Sequence, residues 1–190
     1  MQNSSSFKQY GMPIIVLVVI CIVISGALAA TYSVANPIII ENTQKAADAA
    51  RQELLADADA FTQYTGELFA SEDGKVAVTD VYTANNGCGI VFTVETKSFG
   101  GVLVEMIGVD ETGAITGVKV QSHSDTPGVG TNAQTAEHLG IYARKTAADI
   151  TRTSAKQQNM HVTGASVTSN AVHYGIYAAL QQYDMMGGVQ

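Results

Sequence analysis

The sequence predicts an α+β protein, with one N-terminal transmembrane helix followed by an antiparallel sheet packed with helices. Three observations carry this prediction. The run from Met12 to Tyr32 is apolar and free of charge, and it has the length of about 20 residues that a helix needs to cross a bilayer core. From Lys75 to His123, Val, Ile and Thr recur with the partial alternation of strands. From about Val167 to Tyr183 the apolar residues return to a helical period.

Residues 1–11 read as a cytoplasmic N-terminus, 12–32 as the transmembrane helix, 33–74 as a juxtamembrane and connecting helical segment, and 75–190 as the folded domain. A backbone in hydrocarbon satisfies its own polar groups only as a helix or a closed barrel, so a single apolar run is a helix. Ala27-Leu28-Ala29 also has the small-residue pattern of a signal-peptide cleavage site. Retained or cleaved, the segment sends the domain to the same side. Lys8 precedes the span and all 17 acidic residues follow from Glu41 onward, which places the N-terminus in the cytoplasm. Ser25 with Ala29 and Gly26 with Ala30 have the spacing that lets two membrane helices approach closely, a pattern that an alanine-rich run also produces by chance.

Beyond Pro37 an amphipathic helix is expected from about Asn42 to Phe61, with Ala46, Ala50, Leu54, Ala58 and Phe61 on one side. Four antiparallel strands follow, at 75–82, 89–97, 102–109 and 114–121. Asp110-Glu111-Thr112-Gly113 forms the turn between the last two. Asn132 to Asp149 has helical spacing, residues 150–160 read as a loop, and a final helix covers about 167–183. The chain after Glu41 has nine basic against seventeen acidic residues, a formal charge of −8. That balance excludes nucleic acid as a natural partner and gives no basic face for anionic lipid. Cys21 lies inside the apolar run and Cys88 far outside it, so neither a disulfide nor a metal-ligand spacing is present.

The most informative stretch is His161-Val162-Thr163-Gly164-Ala165-Ser166-Val167-Thr168-Ser169-Asn170. Four hydroxyls surround a glycine and an alanine at the start of the last helix. The first N–H groups of a helix lack partners and favour negative charge, so such a place holds a phosphate without lysine or arginine. The plainer reading is that a serine or threonine caps the helix. A second loop, His123-Ser124-Asp125-Thr126-Pro127-Gly128-Val129-Gly130, is delivered by the last strand. The four histidines have no zinc-helix spacing. A Ser-His-Asp set from Ser166, His123 or His161, and Asp125 has no nucleophile elbow around it. The Thr-Pro-Gly-Val-Gly glycines lack the third glycine of a dinucleotide fingerprint.

Thr163-Gly164-Ala165-Ser166-Val167-Thr168-Ser169 resembles the flavinylation motif of the FMN-binding domain family, which is shared by the G subunit of the Rnf electron transport complex and the C subunit of Na+-translocating NADH:quinone reductase. The 123–130 loop is similar to that family's His-x-Glu-Thr-Pro-Gly-Leu-Gly segment, with Asp for Glu and Val for Leu. The resemblance implies that 75–190 is an FMN-binding domain and that FMN is joined by a phosphoester to Ser166, where threonine is usual. Three residues before Thr163, where the family usually has an acid, stands Met160. The resemblance further implies that Thr163, Gly164, Ala165, Val167 and Thr168 contact phosphate and ribityl chain, with His123, Asp125, Thr126 and Gly128 along the ring or its tail. It implies an electron relay in a redox-driven, ion-translocating complex of the bacterial inner membrane, with the flavin domain on the extracytoplasmic side. Its partners are then the other Rnf subunits, a maturing flavin transferase and the bilayer. The short chain favours the Rnf protein over its longer quinone-reductase counterpart. The competing reading is a noncatalytic anchored module that binds a ligand or docks on a partner.

Overall fold

The computed structural model describes residues 10–189. Lys8, used above for orientation, lies outside the described residues. The chain divides into two compact units with the boundary between Ala46 and Ala47.

In the first unit the backbone is one helix, α1 (Met12–Leu54), which continues into the second unit. It is the one described helix long and apolar enough to cross a membrane, and its large apolar side chains from Met12 to Ile40 are exposed. The expected separation into a span at 12–32 and a new helix from Asn42 is not observed: Pro37 lies inside continuous helix. A proline removes one donor from the helical ladder, and here the helical periodicity on both sides carries the chain through it.

The expected end at Phe61 is also displaced. The helix stops at Leu54, and the Gln52 amide donates to the carbonyls of Ala56 and Ala58, each at 3.1 Å, in place of helical donors. Phe61 instead begins strand β1 (Phe61–Gln63), which the sequence reading did not anticipate and which pairs with the next strand through Phe61 opposite Ala84. Strands β2 (Val76–Ala84), β3 (Gly89–Lys97), β4 (Val102–Asp110) and β5 (Ile115–Ser122) match the four expected segments. All five are antiparallel in the order β1-β2-β3-β4-β5. The β4–β5 turn closes on the Asp110 carboxylate, which accepts from the Thr112 and Ala114 N–H groups at 2.8 and 3.0 Å, with Gly113 at φ +81°.

Both faces of the sheet are covered, because alternate residues of β3 and β4 are apolar on both sides. Val91 and Met106 meet Ala50, Leu54, Leu55 and Ala58 on one face. That approach needs the paired glycines Gly108 and Gly117, since a Cβ on either would come within 3.0 Å of the Leu54 side chain. On the other face Phe92, Val94, Leu103 and Ile107 pack with Val172, Ile176, Ala179 and Leu180 of the last helix, α3 (Ser166–Met186).

The helix expected at 132–149 is largely absent. A 3-10 turn at Gly130–Gln134 leads into a four-residue helix, α2 (Ala136–Leu139), capped by the Thr135 side chain, and a second 3-10 turn at Gly140–Tyr142. The backbone then joins β5: Arg144 N–H donates to Ile115 O at 2.8 Å and Ile115 N–H to Lys145 O at 2.9 Å. Leu139 and Tyr142, which have helical spacing, are buried, as is Ile150, but from a folded-back loop and not from one helix face.

Glu105, in the middle of β4, faces α3 and is wholly buried, and neither carboxyl oxygen has a hydrogen-bond partner. Burial pushes its pKa well above the usual carboxyl range, so the group is held as the neutral acid. A carboxyl that binds its proton more tightly folded than unfolded stabilises the fold at low pH. That contribution is lost as pH rises from the unfolded pKa toward the raised one. Glu105→Gln therefore raises the melting temperature of the detergent-solubilised chain more at pH 8 than at pH 5. Each kcal/mol corresponds to about 2–4 °C, and scanning fluorimetry at both pH values reads the difference.

Candidate functional site

The hydroxyl-rich run and the 123–130 loop come together at the N-terminal end of α3. Ala165, not a hydroxyl residue, holds the N-cap position, and no side chain caps the helix. Ser166 is the first helical residue and is exposed. Its hydroxyl makes no hydrogen bond to another described residue. The simple capping reading is thus not what the backbone adopts here. Ser166, Val167 and Thr168 of the first turn line a cavity of about 280 Å³.

The other hydroxyls of the run are used internally. Ser169 is fully buried, and its Oγ accepts from the Val162 N–H at 3.0 Å, folding the preceding turn back on the helix. Gly164, at φ +88°, makes that turn in a conformation that side chains disfavour. Thr168 is buried, with its Oγ1 3.2 Å from Ser98 Oγ.

Asp125 lies at the base of the cavity, 4% exposed. Its carboxylate accepts from the Ser98 hydroxyl at 2.7 Å, the Gly100 N–H at 2.8 Å and the Gln134 amide at 2.8 Å. The same Ser98 hydroxyl is also directed at Thr168 Oγ1, so it is shared between the carboxylate and α3. This chain of contacts runs from the 123–130 loop through the β3–β4 connection to α3. Gly130 sits inside it: a Cβ there would stand 2.7 Å from the Asp125 Cβ and 2.9 Å from Thr168 Oγ1.

Of the residues singled out from the sequence, Asp125, Thr126, Gly164, Ala165, Ser166, Val167 and Thr168 line the cavity, whereas His123, Gly128 and Thr163 do not. His123 and Thr163 are exposed on the flanking turns. Gly128 makes the turn, at φ +74°, with its N–H donating to Thr131 Oγ1 at 2.9 Å. Val129 and Gly130, the end of the 123–130 motif, also line the cavity, as does Phe99, which lies outside both motifs. Phe99 had a signal: an aromatic residue next to two glycines in a strand connection, 75% exposed in the fold. Met160 is buried among core residues, its N–H donating to Ala155 O at 2.7 Å.

His173, buried on α3, ties the 150–160 loop to the helix through Nε2, 3.1 Å from Thr151 O. Burial lowers its pKa and favours the neutral ring, so Nε2–H donates to that carbonyl. No group of three or more potential metal ligands occurs among the described residues.

Residues 99–181 match the FMN-binding domain family. Over almost its full length the chain is similar to proteins that carry the same name, the G subunit of an ion-translocating oxidoreductase complex. It is 30% identical to the G subunit of the Na(+)-translocating ferredoxin:NAD(+) oxidoreductase complex of Acetobacterium woodii, covering 89% of each chain. It is 26% identical to the G subunit of the proton-translocating ferredoxin:NAD(+) oxidoreductase complex of Clostridium ljungdahlii, over 90% of each. It is also 26% identical to the G subunit of the ion-translocating oxidoreductase complex of Methanosarcina acetivorans, over 97% of this chain and all of that one.

Removing the Asp125 carboxylate leaves the buried Ser98 hydroxyl and two part-buried donors, the Gly100 N–H and the Gln134 amide, without their acceptor. Asp125→Ala is expected to cost roughly 2–4 kcal/mol. Equilibrium urea unfolding of the full chain in detergent, followed by tyrosine fluorescence, measures the loss.

Proposed function

Because the chain belongs to the family of G subunits of ion-translocating ferredoxin:NAD(+) oxidoreductase complexes, we propose that it is the electron-relay flavoprotein of such a complex, with FMN joined by a phosphoester to Ser166. The observation that carries the attachment is the exposed Ser166 hydroxyl at an uncapped helix start, opening onto a cavity that the two motifs build together.

The residues present fit the group. A phosphate on Ser166 Oγ lies beside unpartnered first-turn N–H groups and the positive end of the α3 dipole, which offset its charge although no lysine or arginine lines the cavity. The negative charge of Asp125, which also lines the cavity, is met by three hydrogen-bond donors. Phe99, Val129 and Val167 give apolar surface for a planar ring, and Thr126 a hydroxyl at its edge. Thr163, His123 and Gly128 hold the flanking turns, and contact between them and the cofactor requires a tail that reaches past the cavity rim.

FMN supplies one- and two-electron transfer, and the protein's part is attachment, orientation and electrostatics. A covalent tether keeps the cofactor in place outside the cytoplasm, where a dissociated flavin is not readily replaced. No charged residue lies between Lys8 and Glu41. Ion movement therefore belongs to the other subunits, because an ion path in a membrane is lined by polar or charged groups. A flavin transferase forms the bond during maturation from a flavin dinucleotide: the Ser166 oxygen attacks the flavin-side phosphorus, its proton is lost, the pyrophosphate bond breaks and the nucleoside monophosphate leaves. The domain stands on the extracytoplasmic side of the cell membrane with its N-terminus in the cytoplasm.

Co-expressed with a flavin transferase, the chain shows flavin fluorescence on a denaturing gel and the mass of one attached FMN. Ser166→Ala abolishes both, and Ser166→Thr, which keeps the hydroxyl, retains both. Bare polypeptide mass for the unaltered chain taken from its native membrane would refute the attachment.

A further inference from the structure

A second cavity, of about 340 Å³, opens on a different set of α3 residues and shares only Val167 with the first. Its size falls within the range of small-ligand sites. Its walls are aromatic: Phe69, Tyr174 and Tyr177 line it, and neither tyrosine hydroxyl has a hydrogen-bond partner among the described residues. Its rim is basic in a domain that is otherwise acidic. Lys75, Lys97 and Arg152 meet there, three of the nine basic residues beyond Glu41. Lys75 is paired with Asp73 at 3.3 Å. Lys97 and Arg152 make no ion pair among the described residues, so two positive charges are left over. A phosphate monoester carries about −1.5 to −2 at neutral pH, which matches them.

The lining also contains a buried polar group without a partner. Thr96 is 2% exposed and its Oγ1 makes no hydrogen bond. Its side chain cannot withdraw toward the helix. Gly175 is pressed against it so closely that a Cβ there would lie 3.0 Å from the Thr96 methyl group and would collide with the Glu105 carboxyl.

We propose that this cavity binds a small aromatic phosphate monoester of mononucleotide size: the ring lies among Phe69, Tyr174 and Tyr177, and the phosphate between Lys97 and Arg152. The site is separate from the Ser166 cavity and does not depend on flavin being attached there.

Isothermal titration calorimetry on the full-length flavinylated chain in detergent, with AMP, adenosine and inorganic phosphate as probes, tests this. AMP binds with a Kd below about 1 mM, and adenosine and phosphate each bind at least about tenfold more weakly, since each supplies half of the recognition. The exposed pair Lys97→Gln with Arg152→Gln weakens AMP at least about tenfold while the mass of the flavinylated chain shows attachment unchanged. Absence of AMP binding at millimolar concentration, or equal affinity in the double variant, overturns the proposal. So does AMP binding that occurs in the Ser166→Ala chain and vanishes on flavin attachment, because the probe would then occupy the Ser166 cavity. Flavin attachment is read from the mass independently of any of these results.

Discussion

The Asp125 carboxylate holds the site together. The two segments that line the cavity are separated by some forty residues in the chain, and neither forms a pocket alone. Asp125 joins them by drawing the Ser98 hydroxyl, the Gly100 N–H and the Gln134 amide onto one buried charge, with Thr168 of α3 linked through Ser98. A buried charge persists only where its lone pairs are met. The loop, the β3–β4 connection and the helix start are consequently fixed relative to one another. An acid in this position is structural first, and its closeness to the proposed phosphate is tolerable because its charge is already engaged.

The sheet performs the complementary task for the helix. α3 begins at the cavity, and its next turns are buried against Phe92, Val94, Leu103 and Ile107. Its first-turn N–H groups therefore point from a rigid element, the condition under which backbone groups position a ligand well. The opposite face is closed by the end of α1 over Gly108 and Gly117. One polar group is out of place in this packing. Glu105 sits neutral and unpartnered between sheet and helix, beneath Gly175. Together with the unpartnered Thr96 hydroxyl it makes the sheet–helix interface locally less satisfied on the side of the basic cavity than on the side of Ser166.

Strand positions were legible because their signal is local: Val, Ile and Thr alternate between glycine-rich joins, and β3 falls on residues 89–97 as read. The last helix and its start at the hydroxyl run were legible for the same reason. The segment 132–149 was not. Leu139, Tyr142 and Ala147 have helical spacing, but the backbone of Arg144 and Lys145 finds better partners on Ile115. Tertiary pairing outcompetes propensity there. Phe61 has helical spacing from Ala58 and yet enters a strand, because Ala84 offers an open sheet edge.

By itself the sequence determined the class of the chain: an apolar anchor, a strand block, and two motifs of small turn residues whose order and wording mark the family. Ser166 was marked in the sequence only by its place in the family motif; that it opens the helix, exposed and uncapped, was decided by the fold. Only the tertiary structure decided which motif residues share a cavity, leaving out His123, Gly128 and Thr163 while admitting Phe99 and Val129. The same holds for the basic cavity, whose lysines and arginine are scattered from 75 to 152. Spacing along a chain encodes period and turn chemistry, whereas proximity between distant segments depends on sheet register and on which buried polar groups find partners.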